Sequence, residues 1–475
     1  MSYAIYVGRN LTADGIPYLA GYGDEPSSHW LEIHPRQSHP EGATLTVGVT
    51  PRAAMPGRLT QIPQAARTAR NMRVSYSHFL GLPAPLTNGG LNEHGVAVRD
   101  VWSPSRPELV AMTPPDQTGP NYSDLARLVV ERARTAREGV ELIGALIAEH
   151  GYSTYGGNSH LIADPGEAWV VIEFAGGKRL WAAERLGPDS IRASRPGYIG
   201  AIPAEPDADF LFPAHFHDVA ADLGWWSAAA GPFDVNAVYG DGKGRWDGVE
   251  RVEAELRERA VRPERIGIED VFWAISTGMF TGDTAGYGQV VPLVDPRHDA
   301  LRMMWHAPVG PVTAPLMPVF LGQTAVPDEY AMHRYLTDGE AARFLDTRKE
   351  ARNPDTVSHV PQGIESAESA VYQFKRLMHL AFQQPDPILR EVWDHWRAFE
   401  RQINAELPDV LLSAEILCDA GEERLAARLL DEFSHRCFAS ALADCTALVS
   451  AAHALLRAAG ALNRTAKPRS LDQIW

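Results

Sequence analysis

The chain has 475 residues, 45% of them hydrophobic, which is enough for a large buried core and predicts two structural regions. Its 60 acidic and 44 basic residues give a formal charge of −16 without a long basic run, which disfavours nucleic acid and anionic membrane surfaces as partners. Small molecules or peptides are better candidates for its ligand.

The strands are predicted from short apolar runs bounded by Gly, Pro, Asn or Asp. One pair of runs, 160–163 and 168–173, is joined by Asp-Pro-Gly-Glu, which predicts a tight hairpin. The predicted strands are 4–7, 18–20, 44–49, 96–102, 159–163, 168–174 and 301–306.

Helices are predicted from apolar residues at a spacing of three and four. The clearest one in the first part of the chain runs from Tyr122 to His150, with Asn121 and Ser123 as candidate caps. After about residue 345 the sequence becomes rich in Ala, Leu, Arg and Glu, which predicts a domain over 1–345 and a helical C-terminal region over 346–475. The predicted C-terminal helices are 366–383, 387–406, 410–420, 422–443 and 446–459.

Three features of the sequence predict a cytoplasmic protein: its cysteines, its N-terminus and the length of its apolar runs. Cys418, Cys437 and Cys445 are few, odd in number and clustered in predicted helices, so they are expected to be packed thiols rather than a disulfide framework. The N-terminus lacks a basic patch followed by an apolar stretch, and no uninterrupted run of about 18 apolar residues occurs. We therefore expect neither a secretion signal nor a membrane span.

The first candidate for chemistry is Ser2, which directly precedes the first predicted strand. A small second residue favours removal of Met1, and Ser2 would then carry a hydroxyl nucleophile together with an α-amine of pKa about 7.7–8.0. One residue could then supply both nucleophile and base, as in terminal-threonine hydrolases. The alternative is that Met-Ser is an ordinary start without a chemical role.

Further candidates lie in two glycine-rich turns and after the second strand. Asn92, in a segment that begins Asn88-Gly89-Gly90, and Asn158, after Gly156-Gly157, carry amides of the kind that stabilise an oxyanion. Asp24 follows the run 18–20, from which it could orient the α-amine. Ordinary Asn-Gly turns and a solvated turn aspartate are the alternatives. Phosphate-loop, dinucleotide and zinc patterns are missing from the sequence, so we predict no metal and no cofactor.

Taken in order, these segments resemble the dipeptidase family of N-terminal nucleophile (Ntn) hydrolases, relatives of penicillin V acylases, bile-salt hydrolases, penicillin acyltransferases and secernins. The resemblance covers most of residues 2–335. It is carried by Ser2-Tyr3-Ala4-Ile5-Tyr6-Val7-Gly8, Tyr18-Leu19-Ala20-Gly21-Tyr22-Gly23-Asp24, Leu91-Asn92-Glu93-His94-Gly95, Gly157-Asn158-Ser159-His160 and Trp305-His306-Ala307-Pro308.

The resemblance implies an α+β fold, a four-layer α/β/β/α sandwich of antiparallel sheets with the nucleophile at the end of an inner strand. It also implies attack of the terminal residue on an amide carbonyl, proton transfer through its α-amine, and Asp24 in the place of the catalytic aspartate. Asn92 and Asn158 would hold the oxyanion or position the substrate.

The chain departs from the family pattern at three places. Ser2 stands where the family has cysteine, so the nucleophile would be an alcohol that needs base assistance. Gly21 stands where relatives carry an arginine, and Tyr22 replaces a polar neighbour. The stretch 192–196 lacks the usual oxyanion asparagine, so Ser194 and Arg195 are candidates to replace it; with Tyr22 they are the predicted substrate-binding residues.

Three functions remain open from the sequence. The first is a hydrolase of dipeptides or small N-acyl amides that forms an acyl-enzyme on Ser2. The second is an acyltransferase that passes the same acyl group to an amine. The third is a binding protein on a catalytically retired Ntn fold. The oligomeric state, including a homo-oligomer, is not determined by the sequence.

Overall fold

The computed structural model describes residues 2–23, 29–76, 82–83, 85–278, 285–333 and 366–459. Within these residues the strands are β1 (Tyr3–Val7), β2 (Tyr18–Gly23), β3 (His29–His34), β4 (Gln37–Ser38), β5 (Thr44–Val47), β6 (Thr60–Pro63), β7 (Arg67–Thr68), β8 (Asn71–Tyr76), β9 (Leu86–Asn92), β10 (Ala97–Val101), β11 (Asn158–Ala163), β12 (Ala168–Glu173), β13 (Trp181–Leu186), β14 (Ile191–Ser194), β15 (Ala201–Ile202), β16 (Phe210–Leu211), β17 (Phe233–Asp234), β18 (Tyr287–Pro292), β19 (Met303–Ala307) and β20 (Met317–Phe320). The α-helices are α1 (Pro107–Met112), α2 (Tyr122–Arg132), α3 (Ala136–His150), α4 (Phe216–Asp222), α5 (Val235–Val238), α6 (Asp247–Ala260), α7 (Ile268–Ser276), α8 (Ala370–Gln383), α9 (Arg390–Asp419) and α10 (Glu423–Ala458).

Two antiparallel sheets form the centre of the molecule. A six-stranded sheet has the order β14-β1-β2-β18-β19-β20, and an eight-stranded sheet has the order β16-β13-β12-β11-β10-β9-β8-β3. The sheets face each other, since β1 and β2 contact β10, and β19 contacts β9. Three two-stranded ribbons, β15-β17, β4-β7 and β5-β6, complete the described pairings.

Helices cover both outer faces, which confirms the predicted four-layer α/β/β/α arrangement. On the eight-stranded sheet, side chains alternate between two cores: Leu161 and Val170 join the core between the sheets, whereas Ile162 and Val171 join the core under α2 and α3. This period of two lets each strand bury both faces. Outside the six-stranded sheet, α6 packs on β14, α7 on β2 and β18, and α10 on β20.

The predicted hairpin is present, but the long predicted helix is divided. β11 and β12 pair from Asn158 opposite Glu173 to Ala163 opposite Ala168. The helix predicted over 122–150 was wrong as a single element: α2 ends before Ala133, and the Thr135 hydroxyl caps α3 by accepting from the Glu138 backbone N–H at 3.0 Å.

The predicted caps of this helix have different roles in the structure. Asn121 caps α2 in a capping box with Asp124, as expected. Ser123 is not a cap, because it lies inside the first turn, where its hydroxyl accepts a hydrogen bond from the Thr87 backbone N–H at 2.5 Å.

The described part of the C-terminal region, residues 366–459, is mainly helical, as predicted, with three α-helices in place of five segments. α9 continues through Pro408, where two helices were predicted, and α10 spans both of the last predicted segments. The helices are anchored on the sheet: Trp396 Nε1 donates to the Thr313 carbonyl at 2.8 Å, and the Ser434 hydroxyl donates to the Pro318 carbonyl at 2.8 Å. The predicted boundary at 345/346 lies outside the described residues, so the division into 1–345 and 346–475 stays a prediction.

The cysteines and the helix α10 bear on the predicted cytoplasmic location. Cys418, Cys437 and Cys445 are buried and free, which confirms that they are packed thiols. By length and composition alone α10 could cross a membrane, with a mean hydropathy of 1.4 over an 18-residue window that is 28% buried. The same helix packs against α8, α9 and β20. The location stays a prediction.

Candidate active site at the start of β1

Ser2 lies at the start of an inner strand, where it is nearly enclosed. It directly precedes β1 and is 5% exposed. β1 pairs on both sides, with Ala4 opposite Gly21 of β2 and opposite Ser194 of β14. Backbone hydrogen bonds to the strands on both sides hold β1 in place, so the backbone that follows Ser2 has a fixed position.

Tyr22 and Arg195 meet beside this strand end. Tyr22 lies opposite Tyr3 in the ladder, with the two ring centroids 5.6 Å apart. The Arg195 guanidinium donates from Nη1 to the Tyr22 hydroxyl. Burial, and then the neighbouring Tyr22, raises the pKa of Tyr3 well above its ordinary value, so this phenol stays protonated. The structure thus brings two predicted substrate-binding residues to the strand that carries Ser2.

Ser194, the third predicted substrate-binding residue, is the last residue of β14. It is buried, and its hydroxyl has no hydrogen-bond partner among the described residues. The next residue, Arg195, is also buried, and its guanidinium lies 5.1 Å from the centroid of a Trp246 ring. The Ser194 hydroxyl and the Arg195 guanidinium are therefore consecutive at the end of β14, the strand that pairs with β1.

An ion pair between Arg245, which precedes α6, and Glu253 of α6 holds β14 at this point. The Ala193 backbone N–H donates to Glu253 Oε1 at 2.7 Å, and Arg245 Nη2 donates to the Ala193 carbonyl at 3.1 Å. Arg245 and Glu253 are themselves paired. Both backbone groups of one residue are thus fixed by charged side chains, which positions the two residues that follow.

A buried arginine reaches the site from the facing sheet. Arg99 of β10 is fully buried; it donates from Nη2 to the Tyr22 carbonyl at 2.6 Å and from Nη1 to the Asn88 carbonyl at 2.8 Å. A Cβ on Gly21 would lie 3.2 Å from Arg99 Nε and 2.2 Å from the Tyr3 carbonyl oxygen. Gly21 therefore leaves the space in which this guanidinium lies.

Asn88 and His29 extend the polar group along the inner surface. The His29 ring stacks between Tyr76 and Tyr287, with centroid distances of 5.1 and 5.3 Å. Asn88 Nδ2 lies 3.5 Å from His29 Nε2, and the Arg99 guanidinium is 5.0 Å from the Tyr287 ring centroid. An amide, an imidazole and a guanidinium are thus held together between the sheets.

The contacts of Asn92 differ from those expected of the predicted oxyanion donor. Its Nδ2 donates to the carbonyls of Val130 at 3.1 Å and Ala133 at 2.7 Å, while its Oδ1 accepts from the backbone N–H groups of His94 and Val96, each at 3.0 Å. Both amide hydrogens and both oxygen lone pairs are occupied. This geometry argues against an oxyanion role and assigns Asn92 to joining the β9 turn to the end of α2.

Asn158 lies in an aromatic group on the eight-stranded sheet. Its Oδ1 accepts from the Tyr155 hydroxyl at 2.8 Å, and its Nδ2 donates to the Ser159 carbonyl at 3.2 Å. The Tyr155 ring contacts those of Trp102 and Tyr122, with centroid distances of 4.8 and 5.0 Å. The described contacts of Asn158 do not include Ser2, Tyr22 or Arg195.

Asp24 lies outside the described residues; β2 ends at Gly23, which pairs with Tyr287. Among the described side chains, none of the His, Cys, Asp and Glu residues form a group of three or more placed to hold a metal ion.

The sequence reasoning did not select Arg99 or Asn88. One signal was available: Ala97-Val98-Arg99-Asp100-Val101 places two adjacent charges in an otherwise apolar strand, and buried charges are rare unless they are paired or functional. Asn88 carries no such signal. The segment 88–92 holds two asparagines, and the sequence alone does not show which of the two side-chain amides forms hydrogen bonds within the turn.

The part of the chain that carries Asn88, Arg99, Ser194 and Arg195 also matches a known family. Residues 77–245 match the sequence profile of peptidase family C69. The match covers 169 of the 475 residues, so it shows similarity to peptidase family C69 over this part of the chain. The matched residues begin after β2, so the C69 match does not extend to Ser2 or Tyr22.

One curated relative is similar over a shorter stretch of the chain. A stretch of 102 residues is 35% identical to a probable dipeptidase B of Lactococcus lactis subsp. lactis (strain IL1403); it spans 21% of this chain and 21% of the relative. Two solved structures of the conjugated bile acid hydrolase from Clostridium perfringens are similar. A mutant is 11% identical, with 71% of this chain and 100% of that chain covered and a TM-score of 0.38. A variant is 10% identical, with 70% and 98% covered and a TM-score of 0.34.

Proposed function

We propose that this protein is an amide-bond hydrolase that acts on dipeptides or small N-acyl amides, with Ser2 as its nucleophile once Met1 is removed. The observation that carries the proposal is the position of Ser2, nearly buried at the end of an inner strand, next to Tyr22, Ser194 and Arg195. The match of residues 77–245 to a peptidase family supports amide-bond chemistry, and the similarity to a probable dipeptidase B supports a dipeptide substrate.

The proposed reaction needs no group beyond this chain and water. Ser2 Oγ attacks the amide carbonyl carbon while its α-amine takes the hydroxyl proton. The tetrahedral intermediate collapses, the C–N bond breaks, and the α-ammonium returns the proton to the leaving amine. Water then attacks the acyl-enzyme ester by the same route and releases the acid, which leaves Ser2 as it began.

The surrounding side chains have distinct proposed roles. Asp24 orients the α-amine, as the sequence resemblance implies. Asn88 takes the oxyanion role first predicted for Asn92, because its Nδ2 lies on the inner surface 3.5 Å from His29 Nε2 and its backbone carbonyl accepts from Arg99. Tyr22 and Arg195 bind the substrate next to the nucleophile. We assign Asn158 a positioning role, through its bond to Tyr155.

The proposal is tested by three variants and the mass of the intact protein. Ser2→Ala and Ser2→Cys both keep a small second residue, so Met1 removal is unaffected and only the nucleophile changes. We expect Ser2→Ala to lower dipeptide turnover by at least about a thousandfold. Ser2→Cys should retain turnover and react with iodoacetamide at residue 2. Ser38→Ala, at an exposed serine of β4, is the matched control and should be unchanged.

The other two functions give different results in the same assay. If an added amine captured the acyl group in preference to water, the protein would be an acyltransferase. Retained Met1, with no turnover of any dipeptide or acyl amide, would instead favour a binding protein. Full turnover by Ser2→Ala would refute Ser2 as nucleophile under either catalytic function.

A further inference from the structure

A cavity of about 290 Å³ lies away from Ser2, between α7 and α9. Aromatic side chains from both helices line it: Phe272 and Trp273 from α7 and Trp393 from α9. Their positions are fixed, because Trp393 Nε1 donates to the Ser276 hydroxyl at 3.3 Å and the Arg259 guanidinium lies 3.9 Å from the Trp273 ring centroid. The apolar wall is therefore formed without a ligand, at the small end of the usual range of about 300–1,000 Å³ for ligand pockets.

A buried ion pair in the lining keeps unused hydrogen-bonding groups. Arg397 donates from Nη2 to Glu400 Oε1 at 2.5 Å and to the Pro311 carbonyl at 3.3 Å. Arg397 Nε and Nη1 and Glu400 Oε2 have no partner among the described residues, although both side chains are more than nine-tenths buried. A buried guanidinium with unused donors is costly, and a carboxylate is the acceptor that fits its geometry best.

Exposed charges of both signs complete the lining. Arg401 supplies a second cation, and Glu269 and Asp394 supply carboxylates. Cations alone would select an anion, and carboxylates alone a cation. Both signs within a volume of this size, beside three aromatic rings, match a zwitterion that also carries an apolar group.

We propose that this cavity binds a free α-amino acid with an aromatic or large aliphatic side chain. The carboxylate of the ligand meets Arg397 and Arg401, its ammonium meets Glu269, and its side chain packs on the rings of Trp273 and Trp393. The proposal is independent of the hydrolase function, because it requires binding and no turnover.

The test is calorimetric titration of the full-length protein with L-phenylalanine. We expect saturable binding at one site in this cavity. N-acetyl-L-phenylalanine lacks the ammonium and L-phenylalaninamide lacks the carboxylate, so each should bind at least about tenfold more weakly, and glycine more weakly still because it has no side chain. This order separates a zwitterion site from a simple anion site.

Variants locate the binding. Arg397→Gln removes the buried partner of Glu400 and risks unfolding the protein, so the exposed residues carry the test. Arg401→Gln and Glu269→Gln should each weaken L-phenylalanine binding at least about fivefold, whereas Arg390→Gln, which removes an exposed charge of α9 outside the lining, should not. Absence of saturable binding, equal binding of N-acetyl-L-phenylalanine, or full affinity in both lining variants would overturn the proposal.

Discussion

Gly21→Ala tests whether the packing of β2 against β1 positions Ser2. A Cβ at residue 21 would lie 2.2 Å from the Tyr3 carbonyl oxygen, 3.0 Å from Ala4 Cα and 3.2 Å from Arg99 Nε. The first two atoms belong to the backbone of β1, which cannot rotate away as a side chain can. Since van der Waals contact needs roughly 3.5 Å, the two strands must separate by about 1 Å.

Two magnitudes follow from that displacement. Overpacking a well-packed site costs about 1–3 kcal/mol of unfolding free energy, and contacts with backbone place Gly21→Ala towards the upper end. Ser2 directly precedes β1 and moves with it, and a displacement of about 1 Å at a reacting group lowers a rate by about a hundredfold. We therefore expect a loss of turnover larger than the loss of stability alone would give.

Urea unfolding followed by the fluorescence of the 12 tryptophans measures the first effect, and dipeptide turnover of the folded protein measures the second. Gly187→Ala is the control, because nothing lies within 4 Å of a Cβ at that position. If Gly21→Ala had the same urea midpoint as the unchanged protein, the strand packing described here would be wrong, whatever happened to turnover.

Four further substitutions test other parts of the structure. Asn92→Ala removes four hydrogen bonds and should lower the unfolding free energy by about 2–4 kcal/mol in urea, with turnover per folded molecule unchanged, whereas Asn88→Ala should lower turnover. Pro408→Ala should raise the free energy of unfolding by up to about 3 kcal/mol, seen as a higher urea midpoint, since proline is the least favourable residue inside a helix; an unchanged midpoint would contradict this. Burial raises the pKa of Glu400 from 4.5 to about 7, so its contribution to stability is greatest below pH 4.5 and is lost as pH rises through 7. The free energy of unfolding of Glu400→Gln, which can still accept from the Leu316 backbone N–H, should therefore fall less than that of the unchanged protein as the pH of urea unfolding is raised from 5 to 8.

Local signals in the sequence were sufficient where one segment determines the structure. The hairpin of β11 and β12 follows from two apolar runs and the Asp164-Pro165-Gly166 turn, and the capping box of α2 follows from Asn121 and Asp124. The break between α2 and α3 also has a local signal, the cap pattern Thr135-Ala136-Arg137-Glu138, but the apolar spacing that continues through it favoured a single helix.

Long-range contacts decided the assignments that failed. The sequence gives no reason to choose between Asn88 and Asn92, because both lie in the same glycine-rich segment. The carbonyls that accept from the Asn92 amide belong to residues 38 and 41 positions further along the chain. Similarly, the single helix α9 tolerates Pro408 because the helix is fixed by tertiary packing, such as Trp396 on the Thr313 carbonyl, rather than by local propensity.

The glycine at residue 21 shows how a departure from a strand motif can be compensated across a cleft. In the sequence of β2, Gly21 stands where the family resemblance implies an arginine, so β2 itself supplies no guanidinium. In the structure Arg99 of the opposite sheet lies beside Gly21 and binds the Tyr22 carbonyl, so a guanidinium still lies next to β2. A larger residue at 21 would exclude it from that space. Loss of an arginine from one strand therefore does not by itself argue that this site is retired, because either sheet of a sandwich can place charge in the space between them.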